Sequence, residues 1–213
     1  MKFIAVNGSP RKNWNTAMLL ESAVEGARSK GADAELVHLY DIDFKGCHSC
    51  FACKLNAGKS YGKCAVNDGL TELLNKLYEA DAFVIGSPVY YADVTGETRS
   101  FMERLFYPSM LYDKSYSSIF PRKIKTGFIY TMNQKEEAMV QRGYEYFFNM
   151  NKGYMARIFG ASEYITACNT YQFNDYSKYE TGAFDIESKK ESREKQFPLD
   201  RQKAFDFGAS LVS

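Results

Sequence analysis

Five short apolar segments of high β-propensity alternate with segments of helical periodicity, and this alternation restricts the possible folds more than any other feature. The apolar segments cover residues 3–6, 34–39, 82–86, 126–131 and 163–167. The third is apolar almost throughout, which is typical of a strand buried on both faces of a parallel sheet. We therefore predict a doubly wound α/β fold: a five-stranded parallel sheet in the order 2-1-3-4-5, right-handed crossovers, and helices on both faces.

The intervening segments predict the helices. The first is expected over residues 16–30 with Thr16 as its N-cap, and the second begins after Asp68. A further helix is expected over residues 94–106. After the fourth strand, the periodicity through residues 144–158 predicts one long helix.

The chain of 213 residues is long enough to bury a full core as a single domain. We expect a core over about residues 1–170 and a C-terminal helical extension over residues 171–213. Within the extension, the mixed-charge run 187–195 predicts a solvated helix or loop. Residues 199–212 predict a final helix that docks on the core. Tyrosine and phenylalanine side chains early in the extension indicate packing on this core or on a neighbouring subunit.

Charge and composition limit the possible partners. The net charge of +1 argues against nucleic-acid binding. No apolar run is long enough to span a membrane, and no signal peptide is recognised. Five cysteines without a secretion signal predict a reducing, cytoplasmic compartment.

The loop after the first strand has the composition of a phosphate-binding site. It runs from Asn7 through Gly8 and Ser9 to Thr16. Gly8 allows a close backbone approach, the hydroxyls and loop amides donate hydrogen bonds, and the following helix adds its partial positive charge. The spacing excludes a nucleotide P-loop and a dinucleotide fingerprint. A polar turn that binds nothing is the alternative.

The loop after the third strand, residues 86–96, is expected beside the first loop, because ligands of a 2-1-3-4-5 sheet bind where the strand order reverses. It reads GSPVYYADVTG, a proline-containing turn followed by two tyrosines. A phosphate seat beside an aromatic, backbone-lined slot suits a flavin. Packing of Tyr90 and Tyr91 in the core or an interface is the alternative. The loop after the fourth strand, with Thr131 and Asn133, is a third contributor by geometry.

Three segments together resemble the flavodoxin-fold NAD(P)H-dependent FMN reductases, in the branch that includes iron–sulfur flavoproteins. The loop GSPRKNWNT is similar to the family's FMN-phosphate loop, with Trp14 in place of the usual small residue. The loop SPVYY and the helical segment FMERL are similar to the family's ring-binding loop and the helix after it. The third segment is a cysteine loop ending in Asn67 and Asp68, and the resemblance covers about residues 2–170.

The resemblance implies FMN as cofactor, NADPH or NADH as co-substrate, a small-molecule electron acceptor, and a homodimer or homotetramer. Arg11 is the expected partner of a phosphate group, and Glu103 and Arg104 are expected to pair with each other on their helix. No residue is predicted to act as a catalytic acid or base, because hydride transfer to a flavin does not require one. The residues expected to bind the cofactor are Ser9, Arg11, Asn13, Asn15, Thr16, Ser87, Pro88, Val89, Tyr90, Tyr91, Asp93, Thr131 and Asn133.

Four cysteines lie between the second strand and the second helix. Cys47, Cys50, Cys53 and Cys64 are separated by two, two and ten residues. Three thiolates at two-residue gaps followed by a fourth is a cluster-binding layout. Iron–sulfur flavoproteins resemble this segment and hold a [4Fe–4S] cluster, but their last gap is shorter. Free thiols near the flavin, a [4Fe–4S] cluster, and a zinc site that could include His48 remain as alternatives, in that order.

The sequence therefore favours an FMN-dependent oxidoreductase that takes hydride from NAD(P)H and passes electrons to a small acceptor such as a flavin or quinone. The alternative is an electron-transfer protein that carries FMN and a [4Fe–4S] cluster and uses a protein partner. A cofactor-free binding domain is a third hypothesis, and it predicts a colourless protein.

Overall fold

The computed structural model describes all 213 residues. Five parallel strands form one sheet in the order β2-β1-β3-β4-β5, which confirms the predicted topology and the doubly wound α/β fold. The strands are β1 Lys2–Asn7, β2 Asp33–His38, β3 Ala82–Pro88, β4 Ile124–Thr131 and β5 Gly160–Ala167.

Seven α-helices connect the strands and complete the chain. They are α1 Asn15–Ser29, α2 Leu70–Glu79, α3 Gly96–Phe106, α4 Glu136–Gln141, α5 Tyr144–Phe159, α6 Ile186–Glu191 and α7 Phe197–Leu211. A π-helical turn, Ser192–Gln196, joins α6 to α7. Short 3₁₀ turns lie at Leu39–Asp41, Ala52–Lys54, Tyr107–Ser109 and Tyr176–Lys178.

Alternate residues of the central strands enter two separate cores, one on each face of the sheet. Ile4 and Val6 of β1 belong to the core that contains apolar residues of α2, α3 and α5. Phe3 and Ala5 belong to the core that contains apolar residues of α1 and α7. Burial on both faces explains why these strands read as continuous apolar runs rather than as an alternation.

Four strands are longer than predicted, including β1 over residues 2–7 and β4 over residues 124–131. β3 continues to Pro88, because Ser87 and Pro88 pair with Tyr130 and Thr131 at the end of β4. Proline lacks an N–H and cannot donate to the sheet, and β3 ends at this residue. β5 begins at Gly160 rather than at residue 163.

The predicted long helix through residues 144–158 is confirmed as α5, and a short helix that was not predicted, α4, precedes it. α4 ends at Gln141, and Gly143 has φ +69° before α5 begins at Tyr144. A left-handed conformation interrupts helical hydrogen bonding and is readily adopted by glycine.

Helix α1 begins one residue earlier than predicted, at Asn15, so Thr16 lies inside the first turn and is not the N-cap. The N-cap position is Trp14, whose side chain makes no capping bond. The Thr16 hydroxyl therefore does not cap the helix and can bond to another element.

The last helix of the extension, α7, packs beside α1 on one face of the sheet. α7 crosses α1 so closely that a Cβ at Gly26 would lie 1.9 Å from Phe205 O, and one at Gly208 would lie 2.0 Å from Ala23 O. Glycine at both positions allows the two backbones to meet. The mixed-charge run 187–195 is helical, which was one of the two predicted possibilities. It is not fully solvated, because Lys189 is buried.

None of the helices combines the length and apolar character needed to cross a membrane.

Candidate functional site

The first loop folds tightly against the end of β3. The Gly8 N–H donates to Gly86 O at 2.8 Å, and a Cβ at Gly8 would lie 1.8 Å from Thr98 Oγ1. Only glycine fits at this position. The Ser9 hydroxyl accepts the backbone N–H of Arg11 at 3.1 Å, which holds the loop in a turn.

Asn15 and Thr16 open helix α1, and both are buried. The hydroxyls of Thr16 and Thr131 lie 2.7 Å apart, which links the first loop to the end of β4. Asn15 Nδ2 donates to Tyr171 O at 2.7 Å, and Asn15 Oδ1 accepts from Arg193 Nη1 at 3.2 Å. The two side chains are therefore positioned from outside their own loop, by β4 and by the extension.

Trp14 docks the extension onto the first loop. The Arg11 guanidinium lies 3.8 Å from the centroid of the Trp14 ring, a cation–π contact. Trp14 Nε1 donates to Tyr171 O at 3.0 Å, and Arg11 Nη1 donates to Gln172 O at 2.7 Å. The indole thus serves as a platform for residues 171–172.

The second loop leaves β3 at Pro88. The buried Ser87 hydroxyl accepts from the Thr95 N–H at 3.0 Å and donates to Pro88 O at 2.8 Å. The Val89 N–H donates to Thr131 O at 2.8 Å, so the loop starts as a continuation of the sheet. Ser87 therefore supports the loop from beneath.

Beyond Val89 the loop turns sharply. Tyr90 and Asp93 exchange two backbone hydrogen bonds of 2.8 and 3.1 Å, and Tyr91 and Ala92 between them have φ values of 51° and 72°. Positive φ is energetically unfavourable for non-glycine residues and is often found at functional sites. The Tyr91 side chain is fully exposed, and the Asp93 carboxylate pairs with Arg99 of α3.

The two loops and the end of β4 surround a cavity of about 230 Å³ at the carboxyl edge of the sheet. Most of the residues predicted to bind the cofactor line it, namely Ser9, Arg11, Asn15, Thr16, Pro88, Val89, Tyr90, Thr131 and Asn133. The predicted residues that do not line the cavity are Asn13, Ser87, Tyr91 and Asp93. For Ser87 and Asp93 the reason is that their side chains bond within the loop and to α3.

The other lining residues were not predicted: Trp14, Met132, Thr170, Tyr171, Gln172 and Phe173. Those from position 170 onward follow β5 and belong largely to the extension. Its aromatic residues were the available sequence signal, but that signal does not tell which surface they cover.

Two side-chain acceptors of cavity residues are buried without a hydrogen-bond partner, Asn133 Oδ1 and Gln172 Oε1. Leaving a buried acceptor unpaired costs about 1–3 kcal/mol, so acceptors at a cavity indicate a ligand that donates hydrogen bonds. The ribityl hydroxyls and the ring N–H of FMN are donors of this kind. The residues of the cavity therefore fit FMN.

The cysteine loop is anchored by Arg104 of α3, whose side chain is 1% exposed. Its guanidinium makes a bidentate pair with Asp68, with N···O distances of 2.5 and 3.0 Å, and Nε donates to Cys64 Sγ at 3.4 Å. Further bonds reach the carbonyls of Lys45 and Val66. Burial is the largest influence on the pKa of Asp68 and would raise it, but the hydrogen bonds and charge of Arg104, together with backbone hydrogen bonds, outweigh burial and the pKa is lowered.

The expected Glu103–Arg104 ion pair is wrong. Adjacent residues on a helix do not face each other, and Arg104 turns to Asp68 instead. Glu103 accepts the backbone N–H of Cys47 at 3.1 Å. Both side chains therefore hold the cysteine loop.

Cys47, Cys50, Cys53 and Cys64 line one small cavity between the loop and α3. All four are free thiols, and no three His, Cys, Asp or Glu side chains form a group that could hold a metal ion. A cubane cluster is larger than one ion, and its four thiolates surround a cavity. The four cysteines supply the thiolate type that ligates an iron–sulfur cluster, but the cavity they share is only about 20 Å³, which is smaller than a [4Fe–4S] cubane.

Comparison with known families decides the assignment. The sequence profile of NADPH-dependent FMN reductases matches residues 1–127. The chain belongs to this family. The match takes in both cavity loops that follow β1 and β3 and the whole cysteine loop. In this member of the NADPH-dependent FMN reductase family, the segment that covers the cavity, residues 170–173, lies outside the matched region.

The sequence is also similar to curated iron–sulfur flavoproteins. One from Archaeoglobus fulgidus is 41% identical over 104 residues, which cover 49% of this chain and 48% of that protein. The chain spans about half the length of the curated relatives it matches.

Solved structures share the fold over the whole chain. An NAD(P)H:quinone oxidoreductase from Methanothermobacter marburgensis superposes with a TM-score of 0.72 at 15% identity, covering 99% of this chain and 98% of that one. An FMN-dependent NADH-azoreductase from Bacillus anthracis, solved with FMN, gives 0.65 at 12% identity, covering 100% of both chains. At these identities the likeness shows the flavodoxin-like fold alone.

Proposed function

We propose that the protein is an FMN-dependent NAD(P)H oxidoreductase that passes electrons from a reduced nicotinamide through the flavin to a small acceptor. The observation that carries this proposal is the cavity where the loops after β1, β3 and β4 meet, with its two unpartnered buried acceptors. Family membership supports FMN as the ligand of that cavity.

The proposed phosphate end of the site is the first loop. Ser9, Asn15 and Thr16 offer hydroxyl and amide groups beside the N-terminus of α1, where partial positive charge favours an anion. Arg11 supplies a full positive charge. It donates at present to Gln172 O, so its guanidinium would serve the phosphate and the extension together.

The proposed ring end is formed by Pro88, Val89 and Tyr90 on one side and Asn133 and Gln172 on the other. FMN, when bound, supplies the chemistry by accepting hydride at its N5 atom. The residues of this chain bind the ring, orient it through loop backbone and amide groups, and leave one face to a second planar molecule. None of them needs to transfer a proton for the hydride step.

The proposed electron acceptor is a small conjugated molecule such as a quinone or a free flavin. The structural neighbours include proteins named as a quinone oxidoreductase and an azoreductase, both of which act on small conjugated molecules by their names. A quinone or a free flavin would stack on the exposed face of the ring in the same way. The cavity shows no feature that selects one of them.

The proposal is tested by adding FMN to cofactor-free protein and following the quenching of flavin fluorescence. NADPH or NADH is then added without oxygen or any protein partner, and the flavin absorbance is recorded. We expect stoichiometric binding and bleaching by one of the two nucleotides. A protein that binds no FMN, or whose bound FMN neither nucleotide reduces, would overturn the proposal.

A second candidate is an electron-transfer flavoprotein with FMN and a [4Fe–4S] cluster. The specific observation in its favour is that all four loop cysteines line one cavity, and curated relatives carry the name iron–sulfur flavoprotein. Iron and acid-labile sulfide in protein purified without oxygen discriminate the two. About four of each per chain would favour this candidate, and their absence would favour the reductase with free thiols.

We also propose that residues 1–213 act as one functional domain and assemble as a homodimer or homotetramer. An exposed apolar stripe along α5, formed by Tyr146, Phe147, Met150 and Tyr154, supports assembly, because monomeric proteins rarely leave such a stripe uncovered. Light scattering on the eluted protein gives the molar mass directly. A mass of a single chain would contradict the assembly.

A further inference from the structure

Lys189 differs from the other lysines of its mixed-charge segment. Lys190 and Lys195 are exposed and pair with Glu187 and Glu191 in the manner of surface ion pairs. Lys189 is 2% exposed; its ammonium group donates hydrogen bonds only to neutral oxygens and lies 5.6 Å from the centroid of the Phe184 ring. A buried cation is costly unless hydrogen bonds or a negative partner offset the loss of water, so its retention calls for a reason.

The three oxygens that surround Lys189 belong to the two loops beneath the candidate FMN cavity. The ammonium group donates to Asn133 O at 3.1 Å, in the loop after β4. It donates to Asn169 Oδ1 and Thr170 O, each at 3.2 Å, in the loop after β5. Asn133 and Thr170 both line the cavity. The lysine therefore links the two loops on the side away from the cavity.

The two loops are otherwise arranged to present these oxygens. Asn169 has φ +52°, and its backbone N–H donates to Gln134 O at 2.7 Å. Its side-chain Nδ2 donates to Ser188 Oγ at 3.0 Å, which fixes the amide so that Oδ1 faces the lysine. The Thr170 N–H donates to Met132 O at 3.0 Å. The lysine therefore completes a network that joins both loops to α6.

The charge on Lys189 persists at neutral pH. Burial, with a smaller contribution from the nearby positive charge of Lys135, lowers its pKa to about 8. At pH 7 the ammonium form still predominates. Lys135 itself pairs with Asp185 at 3.1 Å.

We propose that Lys189 is a positioning residue for the flavin, which holds the loops after β4 and β5 in register and places an unbalanced positive charge behind the ring-binding side of the cavity. The proposal rests on the proposed FMN site. A hydride brings two electrons and one proton nucleus to the flavin, so the ring gains negative charge while the nicotinamide becomes positive. A fixed cation nearby favours the reduced ring over the oxidised one.

The test compares three variants in the full-length protein loaded with FMN. Lys189→Met removes the charge at similar length, Lys189→Arg keeps the charge, and Lys190→Met is the matched control, since Lys190 is the exposed neighbour. Dissociation constants for oxidised FMN and midpoint potentials of the bound flavin are measured for each. Should Lys189→Met fail to fold, Lys189→Gln, which retains a donor, takes its place.

We expect the affinity ratio of reduced to oxidised FMN to fall about tenfold in Lys189→Met, the scale of one charge acting across a partly desolvated site, and the potential to become more negative. Lys189→Arg and Lys190→Met should both have the midpoint potential of the wild type. A wild-type potential in Lys189→Met overturns the inference even if stability falls. A wild-type protein that binds no FMN overturns the proposed function itself, so the two failures are distinguishable.

Discussion

The hydroxyl oxygens of Thr16 and Thr131 lie 2.7 Å apart in the interior, where the first turn of α1 meets the last residue of β4. The contact connects the proposed phosphate end of the cavity to its ring end. Either hydroxyl can turn its proton toward the other or toward a ligand, since both residues line the cavity.

Replacing Thr16 by valine is therefore expected to weaken FMN binding about tenfold, because one hydrogen bond to a charged group is worth about 1.5–3 kcal/mol. Combination with Ser9→Ala should weaken it further. Thr126→Val is the matched control, because Thr126 is equally buried but bonds to Ala161 O, far from the cavity. Fluorescence titration measures the affinities. Equal affinities in Thr16→Val and Thr126→Val would remove the Thr16 hydroxyl from the site.

Trp14→Ser is expected to accelerate FMN release several-fold, because the serine removes the platform for residues 171–172. Trp14→Phe keeps a ring beneath Arg11 but loses the N–H that bonds to Tyr171 O. Its release rate should lie between those of the wild type and Trp14→Ser. Stopped-flow dilution with a flavin trap measures the rates. Identical rates in all three proteins would show that the docked extension does not retain the cofactor.

Much of the fold could be predicted from the sequence, since strands buried on both faces read as apolar runs and their alternation with helices permits few topologies. The two cavity loops could be predicted for a similar reason: each lies directly after a strand at one edge of the sheet. The contacts of Trp14 and Asn15 with Tyr171 could not, because they join residues 157 and 156 positions apart and leave no local pattern.

The errors have equally local causes. Adjacency and opposite charge predict a pair between Glu103 and Arg104, whereas on a helix each of the two residues faces a different neighbour. The run containing Lys189 was expected to be solvated because its composition is that of an exposed helix. Lys189 in that run turns inward and donates to three oxygens of other elements. The composition of a segment cannot reveal one inward-facing residue.

Arg104→Met is expected to lower the free energy of unfolding at pH 7 by about 3 kcal/mol, because it leaves the partly buried Asp68 carboxylate without its cation. The pKa of Asp68 is lowered in the folded protein, so the stabilisation by this pair is present above the ordinary carboxyl pKa and is lost as the pH falls through the folded value. The difference between wild type and variant should therefore narrow in acid.

Urea unfolding at pH 7 and at pH 3 measures this difference. Arg142→Met, at an exposed position, is the control and should change the stability by less than about 0.5 kcal/mol. An Arg104→Met protein as stable as Arg142→Met would show that the cysteine loop does not depend on Arg104.

The thiols of iron-free protein should react with iodoacetamide at different rates. Cys50 is exposed and should react first, whereas burial raises the pKa of Cys53 and raises that of Cys168 to about 11. Less thiolate is then present at pH 8, and only the thiolate reacts. Mass spectrometry of peptides gives the order, with urea-unfolded protein as the control. Alkylation of Cys53 as fast as Cys50 would contradict the buried position of Cys53.

The most direct test of the central claim is an absorption spectrum of the protein purified without oxygen, followed by heat release and mass analysis of the cofactor. The account predicts the two absorption bands of an oxidised flavin and close to one FMN released per chain. Broad absorbance beneath those bands, together with iron, would add the cluster to the flavin. A colourless protein that stays colourless after incubation with FMN would contradict the account.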